Sequence, residues 1–193
     1  MKLNKQMQKN CILKIKEIAI HNEYKANKNT IYKIENEDIV FCDFLIINSE
    51  FLTYRINFKK YSFDILFWKI MNMEENIKKG NLLRINGAFT APPLLIDKGK
   101  IELSENIEKT ANIFFQTVNN EVKNFLKKYD VVEYIFTNKE ISDVNILKCL
   151  SYIDSNQTSK AKEIAKNQIL QGDKGRFKNE GKGFFEQVLL YDD

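Results

Sequence analysis

The chain has 193 residues, 44% of them apolar and 12% aromatic, with a formal net charge of +4 and a pI near 8.8. That composition supports one sizeable core and excludes long disorder. No stretch holds the eighteen or so consecutive apolar residues that a membrane helix needs, and the mild basic excess falls short of a concentrated nucleic-acid surface.

The basic residues gather at the two ends. Residues 1–28 hold seven Lys against two Glu, and residues 151–182 hold seven Lys or Arg against four acids. Cys11, Cys42 and Cys149 are far apart and odd in number. They predict free, buried thiols in a reducing cytoplasm.

Met7, Cys11, Ile15, Ile18 and Ala19 recur at helical spacing, so a first amphipathic helix is expected. Thr30 to Ile34 reads as a strand, and Glu35 to Asp38 as a turn. Ile39 to Ile47 is apolar on both faces apart from Asp43, which predicts a central strand. Asn48-Ser49-Glu50 turns the chain. Leu52, Tyr54, Ile56 and Phe58 then alternate with polar residues along a half-wet strand.

Phe63, Leu66, Phe67 and Ile70 predict a helix near the middle of the chain, capped by Ser62. Leu83, Ile85, Gly87 and Phe89 alternate with Arg84, Asn86, Ala88 and Thr90. That is strand periodicity, stopped at Pro92-Pro93. Leu94 to Leu103 reads as a hairpin turning at Asp97-Lys98-Gly99-Lys100. Ser104 opens the strongest helix, with a stripe from Ile107 through Phe114, Phe115 and Val122 to Tyr129. Val131 to Phe136 fits neither periodicity well. Ser142-Asp143 and Thr158 each open a further helix. Residues 172–183 contain four glycines and one large apolar residue, which predicts a mobile loop. Phe184 to Leu189 ends the chain as a short amphipathic piece.

The fold class expected is therefore α+β: an antiparallel sheet of about five strands packed by an N-terminal helix and a long helix, with a C-terminal helical segment. Residues 1–140 form the expected core and 141–193 a helical extension packed on it.

Reaction chemistry is hard to find. His21 is the sole histidine, and no cysteine-protease or nucleophile-elbow pattern surrounds any cysteine. No C-x-x-C or H-x-x-x-H spacing suggests a metal. Gly175 to Gly183 has five residues where a phosphate loop needs four, and Gly183 stands where Ser or Thr would hold magnesium. No catalytic residue, metal ligand or cofactor is expected.

Two groups remain as binding candidates. A carboxylate in an apolar strand is costly unless paired. A three-residue turn at 48–50 sets Asp43 opposite Arg55, so a cross-strand ion pair is expected, as structural glue or as part of a polar patch. Lys174, Arg176 and Lys178 in the glycine-rich segment would meet an acidic partner. With Lys160, Lys162, Lys166 and Lys182 they leave nucleic-acid association as an alternative. A small enzyme with an unrecognised site is a third possibility.

The order of elements, with Phe67-Trp68-Lys69-Ile70, the stretch LLRINGAFTAPP and the helical tail, resembles a group of small bacterial α+β domains met as immunity-type proteins beside toxins. The resemblance spans about residues 5–170. It implies a cytoplasmic, non-enzymatic protein that binds another protein, such as a toxin or effector, and it supplies no catalytic residues.

Overall fold

The computed structural model describes residues 3–192. The chain forms two compact units, each built from two separate segments: residues 1–58 with 94–129, and residues 59–93 with 130–193. The fold is α+β, with a five-stranded antiparallel sheet, an N-terminal helix packed on a long helix, and C-terminal helices.

In the first unit, α1 (Lys5–His21) is capped by Asn4, whose side chain accepts from Met7 N at 2.9 Å. Its buried stripe is Cys11, Ile15 and Ala19, four residues apart. The sheet follows as β1 (Lys25–Asn27), β2 (Thr30–Glu35), β3 (Asp38–Ile47), β4 (Phe51–Lys60) and β5 (Leu94–Glu102), adjacent in that order. The turns between them need left-handed backbone, supplied by Lys28, by Asn36 and Glu37, and by Asn48 and Ser49. The long helix α4 (Ile107–Lys128) buries Ala111, Phe114, Phe115, Val118, Val122 and Phe125. Phe114 meets Phe44 and Tyr54 with ring centroids 5.2 and 6.3 Å apart, and Phe125 meets Phe58 at 5.9 Å. Even-numbered residues of β3 and β4 therefore point to α4, and odd-numbered residues point the other way.

Two strand expectations in this region are corrected. Leu94 to Leu103 is not a hairpin; β5 is one continuous strand paired with β4. Gly99 is not a turn glycine but the residue opposite Tyr54. A Cβ there would lie 2.6 Å from the Tyr54 hydroxyl, so the glycine makes room for a ring. The cap of α4 is Asn106, whose side chain accepts from Lys109 N, and not Ser104.

In the second unit, α2 (Tyr61–Ile70) starts at Lys60 with no side-chain cap, so Ser62 is not the cap. A 3₁₀ turn (Glu74–Asn76) leads to α3 (Asn81–Asn86). The alternation of residues 83–89 predicts a strand there, and the structure has a helix instead. The helix brings Arg84 and Ile85 inside together, which a strand would place on opposite faces. Then come α5 (Val131–Thr137), α6 (Val144–Asp154) and α7 (Thr158–Leu170), the last two packed together as the small residues Ala161 and Ala165 permit.

Residues 172–183 are folded, against the mobile loop expected. Residues 172–177 are irregular, and 178–183 form a two-stranded ribbon, β6 (Lys178–Asn179) with β7 (Lys182–Gly183), leading into α8 (Phe184–Leu190). Phe177 anchors it, packing edge-on against Phe67 at 4.9 Å. One buried ring suffices because the backbone is also held: Asn179 donates to Met71 O at 2.7 Å, and Phe185 N to Lys174 O at 3.1 Å.

Candidate binding surface

On the sheet face turned away from α4, Ile39, Phe41 and Asn57 are buried, and only the end toward the β3–β4 turn is exposed and pairs apolar with basic side chains. Parity puts Asp43, Leu45 and Ile47 of β3 on it, with Phe51, Thr53 and Arg55 of β4. The register of β5 adds Lys98 beside Arg55, Lys100 beside Thr53 and Glu102 beside Phe51. Leu45 is 54% and Ile47 40% exposed. The Lys100 ammonium lies 4.7 Å from the Phe51 ring centroid, and Thr53 Oγ1 donates to Leu45 O at 3.1 Å. Arg55, Lys98 and Lys100 are exposed.

Asp43 does not pair with Arg55. Its Oδ1 accepts from Thr30 Oγ1 at 2.6 Å, from the strand on the other side, where the two residues are register partners. A half-buried carboxylate with one hydroxyl donor needs no ammonium or guanidinium partner, which leaves Arg55 turned to solvent. The two residues share a face but form no ion pair.

The C-terminal cations lie elsewhere, in the second unit. Lys174 Nζ pairs with Glu186 at 2.9 Å, and Arg176 with Asp143 at 3.1 Å while lying 4.6 Å from its neighbour Phe177. Lys178 is exposed on the ribbon. Glu186 is held below its ordinary range, first by the Gly183 N–H and then by Lys174, and so closes the start of α8.

A further charged cluster is internal. Lys59, Asp64 and Arg84 are at most 2% exposed. Lys59 Nζ donates to Asp64 Oδ1 at 2.9 Å and to the Arg84 carbonyl; Ala91 N also donates to Asp64 Oδ1 at 2.9 Å. The Arg84 guanidinium lies 3.7 Å from the Tyr61 ring centroid and 4.7 Å from that of Trp68. Burial pushes the Lys59 ammonium down and the Asp64 carboxyl up, and each opposes the other's shift by its charge. The cluster lies wholly inside the second unit.

A cleft of about 360 Å³ in the first unit lies between α4 and the β2–β3 turn. Its polar groups largely satisfy one another: Tyr24 donates to Asn119 at 3.1 Å, and Lys33 bridges Glu23 and Glu35 at 3.1 Å each. His21 is exposed at the end of α1, and the three thiols are free and buried. Among the described residues no cluster of His, Cys, Asp or Glu has metal-site geometry, and no helix is long and apolar enough to cross a membrane.

Comparison with known proteins returns no match to any family model, curated protein or solved structure. The surface was only partly legible in the sequence. Reading 94–103 as a hairpin hid Lys98 and Lys100. The alternation of Lys98, Lys100 and Glu102 with Gly99 and Ile101 was the signal that could have placed them on one face.

Proposed function

We propose that the chain is a non-enzymatic protein-binding module, of the immunity or inhibitor kind, that docks its open sheet face on another protein. One observation carries the reading: Leu45 and Ile47 stand in solvent on the same face as Arg55, Lys98 and Lys100. Apolar side chains flanked by charge are the makings of an interface with a dry centre and a polar rim. Three cations face Glu102 and a carboxylate already held by Thr30, so the complementary surface is acidic with apolar side chains between its carboxylates. A toxin or effector is the class of partner that the sequence resemblance suggests. Nucleic-acid binding through Lys174, Arg176 and Lys178 is less favoured, because the first two already hold carboxylates.

The test compares capture from a bacterial host lysate by the intact chain, by Leu45→Asp/Ile47→Asp, and by Lys160→Glu as a surface control. Each captured protein is then titrated in purified form. A partner of this face binds at least tenfold more weakly to the double variant, about 1.4 kcal/mol or more, and normally to the control. A partner held equally by all three chains overturns the face.

A further inference from the structure

The open side of β5 deepens that reading, on which this inference rests. β5 is nine residues long and lies at one end of the sheet, with β4 its sole strand neighbour among the described residues. The opposite end closes with β1, only three residues long. Leu103 N donates to Glu50 O at 2.8 Å, continuing the register in which Glu102 faces Phe51. In an antiparallel ladder the residues that bond a neighbour alternate with those that turn away. Leu103, Ile101 and Gly99 therefore turn their backbone groups to β4. Lys98, Lys100 and Glu102 turn theirs outward, and all three residues are exposed. Their side chains also stand on the open face, Lys98 beside Arg55.

We propose that β5 receives an extended segment of the partner as a sixth strand, with acidic side chains on the open face and apolar ones on the other. The outward N–H and C=O groups of Lys98, Lys100 and Glu102 supply the ladder. The cations of Lys98 and Lys100 select carboxylates at the cross-strand positions, with Arg55 one strand behind. On the other face Ile101, half-buried, offers an apolar neighbour. The register break between Ile56 and Asn57 ends the regular ladder near Asp97, which limits the added strand to about the Lys98–Glu102 span.

Amide exchange of the full chain, read residue by residue by NMR, tests this with a six-residue capped peptide alternating Glu and Val. A peptide with Lys in place of Glu is the control. Saturating Glu–Val peptide should slow exchange at Lys98, Lys100 and Glu102 by about tenfold or more, and the Lys–Val peptide should not. Lys100→Pro removes an outward N–H without touching the ladder to β4, so it should abolish the protection at Lys98 and Glu102. If that variant misfolds, Lys98→Glu/Lys100→Glu should reverse the preference between the peptides. No slowing, equal slowing by both peptides, or slowing that grows with protein concentration alone overturns the proposal; the last outcome places a second copy on the edge. A partner whose capture falls with Leu45→Asp/Ile47→Asp but survives Lys100→Pro removes strand addition and keeps the face. Capture that survives both removes the face as well.

Discussion

Asp64→Ala should be among the most damaging single changes in the second unit. The carboxylate lies fully buried between Lys59 and Arg84 and accepts from two donors, Lys59 Nζ and Ala91 N. Removing it leaves Ala91 N without its acceptor and Lys59 Nζ with the Arg84 carbonyl alone, its charge unpaired. Each orphaned buried donor costs about 1–3 kcal/mol, the charged one at the upper end. Breaking a buried ion pair by deleting one partner costs about 3–5 kcal/mol. The two routes agree on roughly 4 kcal/mol, a large share of the ~5–15 kcal/mol that a domain has.

Trp68 makes the measurement simple. It is the sole tryptophan, is fully buried in the same unit, and donates to Phe89 O at 2.7 Å. Its fluorescence during urea unfolding reports that unit. Lys59→Met/Asp64→Leu removes the Lys59–Asp64 pair and should recover part of the loss; the Arg84 guanidinium keeps its contacts with Tyr61 and Trp68 but loses the Asp64 carboxylate 3.9 Å away. A loss under about 1 kcal/mol for Asp64→Ala, or a double variant as poor as the sum of its singles, would refute the coupling.

Three further outcomes follow from the same geometry. Gly99→Val should destabilise the first unit by about 1–3 kcal/mol through collision with the Tyr54 ring, and Tyr54→Ala should relieve much of it; an unchanged urea midpoint for Gly99→Val would show that the strand moves freely. Burial, then the hydrogen bond to Asp97, pushes the Tyr54 hydroxyl up to about 12. Between its ordinary value of 10.0 and about 12 the folded state holds the proton more often, so stability falls as pH rises, and Tyr54→Phe should flatten that slope. Limited trypsin digestion should spare Lys174 and Arg176, because the ribbon is anchored by Phe177 and two ion pairs; early cuts there would restore the mobile loop that the glycines suggest.

Long-period signals in the sequence carried over well. The stripes of α1 and α4 are set by local spacing and sit where it requires; the apolar run of β3 is buried on both faces over residues 39–42, while Leu45 and Ile47 stand in solvent. Short segments did not carry over. Residues 83–89 alternate like a strand, yet Arg84 becomes part of a buried charge cluster with Lys59 and Asp64, 25 and 20 residues before it in sequence. A tertiary ion pair of that kind outweighs the small preference of a six-residue window. Gly99 shows the same effect in reverse. Glycine usually marks a turn, but here its missing side chain answers Tyr54 on a neighbouring strand.

The charged residues misled in a consistent direction. Pairing rules seek the nearest opposite charge, so the sequence matches Asp43 to Arg55 and offers no partner for Lys174 and Arg176. In the fold a neutral hydroxyl satisfies Asp43, and Glu186 and Asp143 take the two C-terminal cations. In the glycine-rich segment Lys178 and Lys182 stay exposed, and a second group of exposed cations stands on the sheet. Arg55, Lys98 and Lys100 are in solvent, next to Leu45 and Ile47. Lysines on a long edge strand are a standing defence against unwanted pairing. That defence is selective, because it repels a basic segment and favours an acidic one. Exposed aliphatic residues on the adjoining face, Leu45 and Ile47, play no part in that defence.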